Sequence, residues 1–271
     1  MFENNEWFKI AGKEGPFGCD YLNEFDVEQK RTDVELNSLR HILLLQTKKM
    51  GHKLKILDLA SGTGRIGNPL ASLSDTFMVS ADLHSHALSE HKNKKITHPV
   101  QADMRKLPLN DNTFEVILLL YTSFGYFNDR DNFRVIMEMK RCLADQGKII
   151  IDMPNSEHLQ DHFKSNRTKE VLNSDGKLDH VVIYNNILEK KEGDLQETLP
   201  EKSLFLRQER TARYNDGTEK PLEPIILRIY NLSQIKILVE KSGLKIEDVT
   251  DMDLKKFDPD HSRRMWIHAT K

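Results

Sequence analysis

The chain has 271 residues, with 40 Lys and Arg against 42 Asp and Glu, and 38% of its residues are hydrophobic. That size suits one large domain or a core with an elaboration, and that apolar share excludes wholesale disorder. A net charge of −2 provides no global field to attract nucleic acid, and the longest apolar run, Val116 to Tyr121, is far too short for a membrane helix. Two cysteines, Cys19 and Cys142, make neither a disulfide framework nor a four-cysteine zinc site. The N-terminus, Met1-Phe2-Glu3-Asn4-Asn5-Glu6, is acidic where a secretory signal is basic and then apolar. A soluble protein of a reducing compartment, the cytoplasm, is the expectation, with no membrane and no nucleic-acid partner.

In chain order, residues 1–50 read as a polar, aromatic-bearing lead-in followed by one helix. Val34, Leu36, Leu39, Ile42, Leu43 and Leu45 recur near helical spacing, and Gly51 follows as a stop. Strands and helices then alternate. Lys55-Ile56-Leu57-Asp58-Leu59, Phe77 to Ala81, Phe114 to Leu120 and Lys148 to Asp152 are apolar strand-like runs, and Asn132 to Leu143 carries helical spacing. Continuously apolar strands separated by helices imply an α/β fold whose parallel sheet is covered on both faces.

From about 180 to 230 the helices stop. His180 to Leu188, Leu204 to Tyr214 and Ile225 to Tyr230 read as strands, with a hairpin turn at Asn215-Asp216-Gly217. This segment is expected to be an antiparallel insertion too thin for a core of its own. Leu232 to Lys241 returns to helix, stopped by Gly243. Leu244 to Val249 and Met265 to Ala269 close the chain as strands around a polar loop.

The chemistry concentrates in Ile56-Leu57-Asp58-Leu59-Ala60-Ser61-Gly62-Thr63-Gly64-Arg65. A strand delivers an acid, then small residues, then a helix start, an arrangement that lets backbone approach a ligand closely at the carboxyl end of a strand. Gly62-Thr63-Gly64-Arg65-Ile66-Gly67 also satisfies G-x-G-x-x-G, the basis of an alternative reading as an NAD-dependent oxidoreductase. Against it, Ala60-Ser61 separate strand from glycine, and further acids follow: Asp82 after the second run, then Asp103 in Val100-Gln101-Ala102-Asp103-Met104.

Asp58, the loop from Ala60 to Gly64, Asp82 and Asp103-Met104, in this order and spacing, resemble the class I methyltransferases that use S-adenosyl-L-methionine (SAM). The resemblance covers roughly residues 54–155. It implies a seven-stranded, mostly parallel sheet with helices on both faces, an antiparallel final strand and an antiparallel β insertion. It also implies that Ala60, Ser61, Gly62, Thr63 and Gly64 lie under the methionine and ribose of SAM, and that Asp82 binds both ribose hydroxyls. Asp103 would meet the adenine amine, with Met104 or Leu83 packed on the ring, and the carbonyl near Leu120 would hold the methionine ammonium. Many members have glycine where Ala60 stands, and a methyl group is tolerable there if Ala60 keeps negative φ.

Ser123-Phe124-Gly125-Tyr126-Phe127, after the third long strand, is similar to a signature of a subgroup of bacterial small-molecule methyltransferases. Trp7-Phe8, Phe17 to Leu22 and Ser262 to Ile267 are similar to that subgroup's lead-in and last strand. By implication Tyr21 folds over the cofactor, and Tyr126 and Phe127 line the transfer pocket; Phe124 and Phe127 serve equally well as core. Residues 1–50 would form a helical lead-in or lid, and 51–155 the SAM-binding core. Residues 156–230 would be an insertion acting as substrate cover or dimer surface, which leaves a homodimer open, and 231–271 the rest of the core sheet.

The expected activity is transfer of a methyl group to nitrogen or oxygen of a small-molecule acceptor by in-line displacement; a non-catalytic SAM-binding protein is a further alternative. No metal is required, because no oxyanion develops. A general base is needed only where the acceptor must lose a proton first, and Tyr126, His158 and His261 are the candidates. His84, His86 and His91 are expected to face solvent. Arg263-Arg264 lies where it could reach an anionic substrate. Along the second insertion strand, Leu204, Leu206, Gln208 and Arg210 share one face.

Overall fold

The computed structural model describes residues 29–73, 76–91, 97–172, 177–195, 197–199 and 202–271. The lead-in, with Trp7, Phe8, Cys19 and Tyr21, lies outside them. Helix α1 (Gln29–Met50) precedes strand β1 (Leu54–Leu59), and α2 (Gly67–Ala71), β2 (Thr76–Asp82), α3 (Ser85–Ser89), β3 (Pro99–Gln101) and β4 (Phe114–Leu119) follow. Helix α4 (Asp129–Cys142) runs directly into β5 (Leu143–Pro154). These strands and the last two, β10 (Lys245–Thr250) and β11 (Arg264–Thr270), form one seven-stranded sheet in the order β10-β11-β5-β4-β1-β2-β3. Pairing is parallel except for the antiparallel contacts that β11 makes with β5 and β10.

Alternate residues of the buried strands feed two cores, one on each face. Leu57, Leu59, Ile117 and Ile149 meet α4 and the later helix α6 (Leu232–Lys241) through Val135, Met139, Ile235 and Leu238. Leu54, Ile56, Leu118 and Ile150 meet α1 through Leu36, Leu39, Ile42 and Leu43. Continuous apolar runs are what a doubly covered sheet demands. The helices α4 and α6 begin at asparagine caps. Asn128 accepts from the Asp131 amide at 2.9 Å, and Asn231 and Gln234 form a reciprocal capping box.

Between β5 and α6 the chain adds the short helix α5 (Ser156–Asp161) and a second, antiparallel sheet, β6-β7-β8-β9. Its strands are β6 (Asn166–Leu172), β7 (Leu178–Lys191), β8 (Ser203–Tyr214) and β9 (Glu219–Ile229). Two features differ from the sequence expectation. Strand β6 escapes pattern reading because it is a mostly exposed edge in which only Val171 is buried. The sheet also has small apolar clusters of its own, Leu204 with Ile225, Leu227 and Ile229, and Val171 with Val182 and Tyr184. The shared face of Leu204, Gln208 and Arg210 is the inner one, and all three are buried.

Arg228 pins this sheet to the core. Its side chain and that of Asp129, the first residue of α4, are fully buried and joined at 2.9 Å. The Tyr230 hydroxyl donates to Asp129 Oδ1 at 2.7 Å, Asn132 donates to that hydroxyl at 3.0 Å, and Ser203 Oγ donates to Asp129 Oδ2 at 3.3 Å. The backbone joins in: Arg228 N donates to the Gly125 carbonyl at 2.7 Å. Gly125 sits at φ +112, and a Cβ there would lie 2.4 Å from the Arg228 carbonyl oxygen, so glycine is required. Removing one partner of a buried, hydrogen-bonded ion pair costs about 3–5 kcal/mol. Asp129→Ala is expected to lose stability on that scale in urea unfolding, and adding Arg228→Met to recover part of the loss.

Candidate functional site

The sheet order reverses at β1, flanked by β2 on one side and β4 on the other, and ligands of open α/β sheets bind outside such a switch point. Register sets the site's level. Leu59 lies beside Ala81 and Asp82 beside Gln101, so the 60–64 loop, Asp82 and the residues after β3 emerge side by side on one sheet edge.

Asp82 organises this edge. Its Oδ2 accepts from the Gly62 amide at 2.8 Å and its Oδ1 from the His84 amide at 2.9 Å. The loop turns through Gly62 at φ +54 and Gly64 at φ +83. A Cβ on Gly62 would meet open space, whereas one on Gly64 would stand 2.7 Å from Asn68 and the His91 ring. Gly67, the third glycine of the G-x-G-x-x-G match, is where a Cβ would come within 2.8 Å of Asp58 Oδ2. Packing against a buried acid therefore explains that glycine without a dinucleotide.

Ala60 corrects the sequence reading: it sits at φ +55, not at negative φ. The left-handed region costs an L-residue about 1–2 kcal/mol, and the hydrogen bond from Ser61 N to the Ala81 carbonyl at 3.1 Å helps hold the loop there. His91 is a second correction. It is buried, its Nε2 lies 3.0 Å from the Gly62 carbonyl, and it supports the loop from beneath; His84 is half-buried and only His86 is exposed. Among the described residues no group of three metal-ligating side chains assembles.

Asp58 is buried, and burial pushes its carboxyl up to about 7, with Arg65 pulling it down and Asp82 raising it further. Asp103 is engaged by Arg105, which donates to it from Nη2 at 2.7 Å and bridges to Asp131 at 2.9 Å. Leu83 and Met104, half-buried, stand at the same sheet edge and pack on the main core. The Leu120 carbonyl accepts from Ser123 Oγ at 2.7 Å.

Sequence reasoning missed a second organised turn. Tyr121 and Thr122 both occupy the left-handed region, at φ +57 and +63. Buried Asp152 fixes them: its Oδ2 accepts from the Tyr121 amide at 2.8 Å and from Arg264 Nη2 at 2.9 Å, while Arg264 also donates to Thr122 Oγ1 at 2.7 Å. Arg31 and Arg65 lie over the Tyr121 ring at 4.5 and 5.2 Å. Asp152 ends an apolar run as Asp58 and Asp82 do, and that was the available signal.

A cavity opens between this turn and the second sheet, with Tyr121, Tyr126 and Arg264 on the core side and Leu206, Gln208 and Leu227 opposite. Of the candidate bases, Tyr126 lines it. His158, half-buried, stacks on His162 at 4.1 Å, and burial lowers its pKa. The His261 side chain is 83% exposed and paired with Asp258 at 2.9 Å, away from the residues that line this cavity. Phe124 and Phe127 belong to the buried core, although Phe127 also edges a second cavity beside Gly193 and Phe205. Cys142 is buried, and burial raises its thiol to about 11, which makes it inert as a nucleophile.

Residues 56–147 match the family model described as a methyltransferase domain. A ubiquinone/menaquinone biosynthesis C-methyltransferase UbiE from Idiomarina loihiensis is 31% identical over 107 residues, 36% of this chain and 41% of that protein. The chain spans about two fifths of the length of that relative. Two solved structures align over nearly the whole chain. One is a SAM-dependent methyltransferase from Clostridium acetobutylicum, with TM-score 0.65, 19% identity and coverage of 93% of this chain and 95% of that one. The other is the sugar N-methyltransferase KedS8 from Streptoalloteichus, with TM-score 0.61, 16% identity and coverage of 93% and 92%. The fold is therefore the Rossmann-like fold of these enzymes, second sheet included.

Two outcomes are expected from the loop. Ala60→Gly relieves the left-handed strain and should raise unfolding stability by about 1 kcal/mol. Asp58 is protonated in the fold well above its ordinary value of 3.8, so its contribution is full below that value and is lost as pH rises through about 7. Urea unfolding of Asp58→Asn beside wild type should therefore shift in the variant's favour from pH 5 to pH 8.

Proposed function

We propose that this chain is a SAM-dependent methyltransferase that transfers a methyl group to nitrogen or oxygen of a small-molecule acceptor. The observation that carries this reading is the Asp82 carboxylate. Each of its oxygens accepts one backbone amide, from Gly62 and His84, and each retains an acceptor site for one hydroxyl of a vicinal diol. The surroundings fit the same ligand. Asp58 Oδ2, Ser61 Oγ, Asn68 Oδ1 and Ser80 Oγ are buried around the loop without a hydrogen-bond partner among the described residues. Buried polar atoms in such number belong to a site that a polar ligand or ordered water completes.

SAM, when bound, supplies an electrophilic methyl group on a sulfonium. The chain's part is positioning. Asp82 would take the ribose hydroxyls, the open side of Gly62 would admit the methionine portion, and Leu83 and Met104 would flank the adenine near Asp103. In the adjoining cavity, which it lines, Tyr126 would take a proton where the acceptor must lose one. Holding two reactants in line contributes up to about 7–11 kcal/mol, enough to need no metal.

The small-molecule acceptor is supported by the roof that the second sheet forms over the cavity. The same signature, Ser123 to Phe127, carries the subgroup reading, with Gly125 fitted to the Arg228 crossing. Nitrogen or oxygen is favoured over carbon because a sugar N-methyltransferase is among the proteins alike in fold over nearly the whole chain, whereas the C-methyltransferase relative matches little more than a third of it.

Titration calorimetry with SAM is expected to show saturable binding to wild type. Asp82→Ala should weaken it at least about tenfold, since hydrogen bonds to a charged group are worth about 1.5–3 kcal/mol each. Asp82→Asn keeps an acceptor for the Gly62 amide and controls for loop collapse. Wild type that takes up no SAM, or that binds NADH instead, overturns the reading.

A further inference from the structure

We propose that the cavity under the second sheet takes an acceptor bearing a carboxylate, with Arg31 as the cation that receives it. This inference rests on the methyl-transfer reading above. The cavity has a volume of about 180 Å³ and is open to solvent on one side, room for a small acceptor only. Its walls differ in kind. Leu159, Leu206, Ile225 and Leu227, with Gln208 among them, make a largely apolar side, and opposite them Arg31 and Arg264 meet Tyr121 and Thr122.

Three guanidinium groups, of Arg31, Arg65 and Arg264, pair with two buried carboxylates, Glu35 and Asp152, and buried Asp58 also acts on Arg65. Arg264 engages both oxygens of Asp152, and the Tyr121 amide adds a further bond to Oδ2. Glu35 gives Oε1 to Arg31 Nε at 2.9 Å and Oε2 to Arg65. Arg31 Nη2 is ion-paired with Asp152 at 3.7 Å, beyond hydrogen-bond reach, and is buried with no hydrogen-bond acceptor among the described residues. The Nε bond to Glu35 and the Tyr121 ring 4.5 Å beneath the guanidinium hold the group in place, so its remaining donors are fixed beside the cavity rather than free to turn into solvent. A planar, oriented guanidinium with an unfilled donor is suited to a carboxylate, which accepts two parallel N–H groups. The apolar wall accounts for the rest of the acceptor: a small molecule with a hydrocarbon or aromatic body.

The same cation has a second possible source of carboxylate, the methionine end of SAM, and the experiment separates the two. Protein saturated with S-adenosylhomocysteine is titrated calorimetrically with 3-phenylpropionate and, separately, with 3-phenylpropionamide. The acid is expected to bind wild type about tenfold more tightly than the amide, the worth of one charge-assisted pair. Arg31→Gln should bring the ratio close to one while SAM affinity stays within about twofold of wild type. Arg31→Lys, which retains charge but not the fork, should fall between, and the wild-type ratio stands whether or not either variant folds. Equal binding of acid and amide to wild type, or no binding of either, overturns the proposal while leaving SAM binding intact. An acid preference that survives Arg31→Gln, with SAM weakened instead, assigns the cation to the cofactor and also overturns it. Wild type that binds neither S-adenosylhomocysteine nor SAM removes both this inference and the reading beneath it.

Discussion

The bond from the Gly62 amide to the Asp82 carboxylate ties the tips of β1 and β2 together, and the rest of the site follows from it. For the loop to present that amide it must turn sharply after Leu59, which places Ala60 in the left-handed region and requires glycine-like freedom at Gly62 and Gly64. His91 then fits under the loop and Gly67 clears room for Asp58. A bond to a charged acceptor is worth about 1.5–3 kcal/mol net, comparable to the strain of one left-handed alanine, so the loop is held near balance and not merely tolerated.

The same device recurs twice. Asp152, at the tip of β5, accepts from the Tyr121 amide and holds two left-handed residues after β4, with Arg264 of the antiparallel last strand closing the group. Asp129, at the start of α4, holds Arg228 and Tyr230 and so fixes the second sheet above the core. Buried carboxylates at element ends therefore determine where the backbone turns, and the cavity lies between the second and third of them. An antiparallel β11 is what makes Arg264 available there, because its first residue sits at the same sheet edge as the ends of the parallel strands.

Much of this was legible in the sequence. Strands buried on both faces are apolar throughout, so β1, β2, β4 and β5 declared themselves, and an acid ending such a run is unusual enough to mark Asp58 and Asp82. What the sequence concealed has physical reasons. The φ of Ala60 is set by a hydrogen bond to a different strand, and nothing in residues 56 to 65 encodes it. His91 lies in a polar stretch that reads as surface, yet it is buried against a loop almost thirty positions earlier. Strand β6 carries no clear alternation because Val171 is its one buried residue and the rest of the strand is largely exposed. Arg31 and Glu35 sit on a helix whose apolar stripe drew attention elsewhere, and the Asp129–Arg228 pair joins positions almost a hundred residues apart. Local patterns located the cofactor edge, whereas the acceptor side is made by long-range polar contacts and needed the fold.

The central claim is that one edge of the sheet, around Asp82, holds the nucleoside of SAM. A crystal grown with S-adenosylhomocysteine tests it most directly. The expected density has both ribose hydroxyls within hydrogen-bond distance of the Asp82 carboxylate and the adenine between Leu83 and Met104. A nucleoside bound elsewhere, or Asp82 left contacting only the Gly62 and His84 amides in a crystal that contains the ligand, would contradict it.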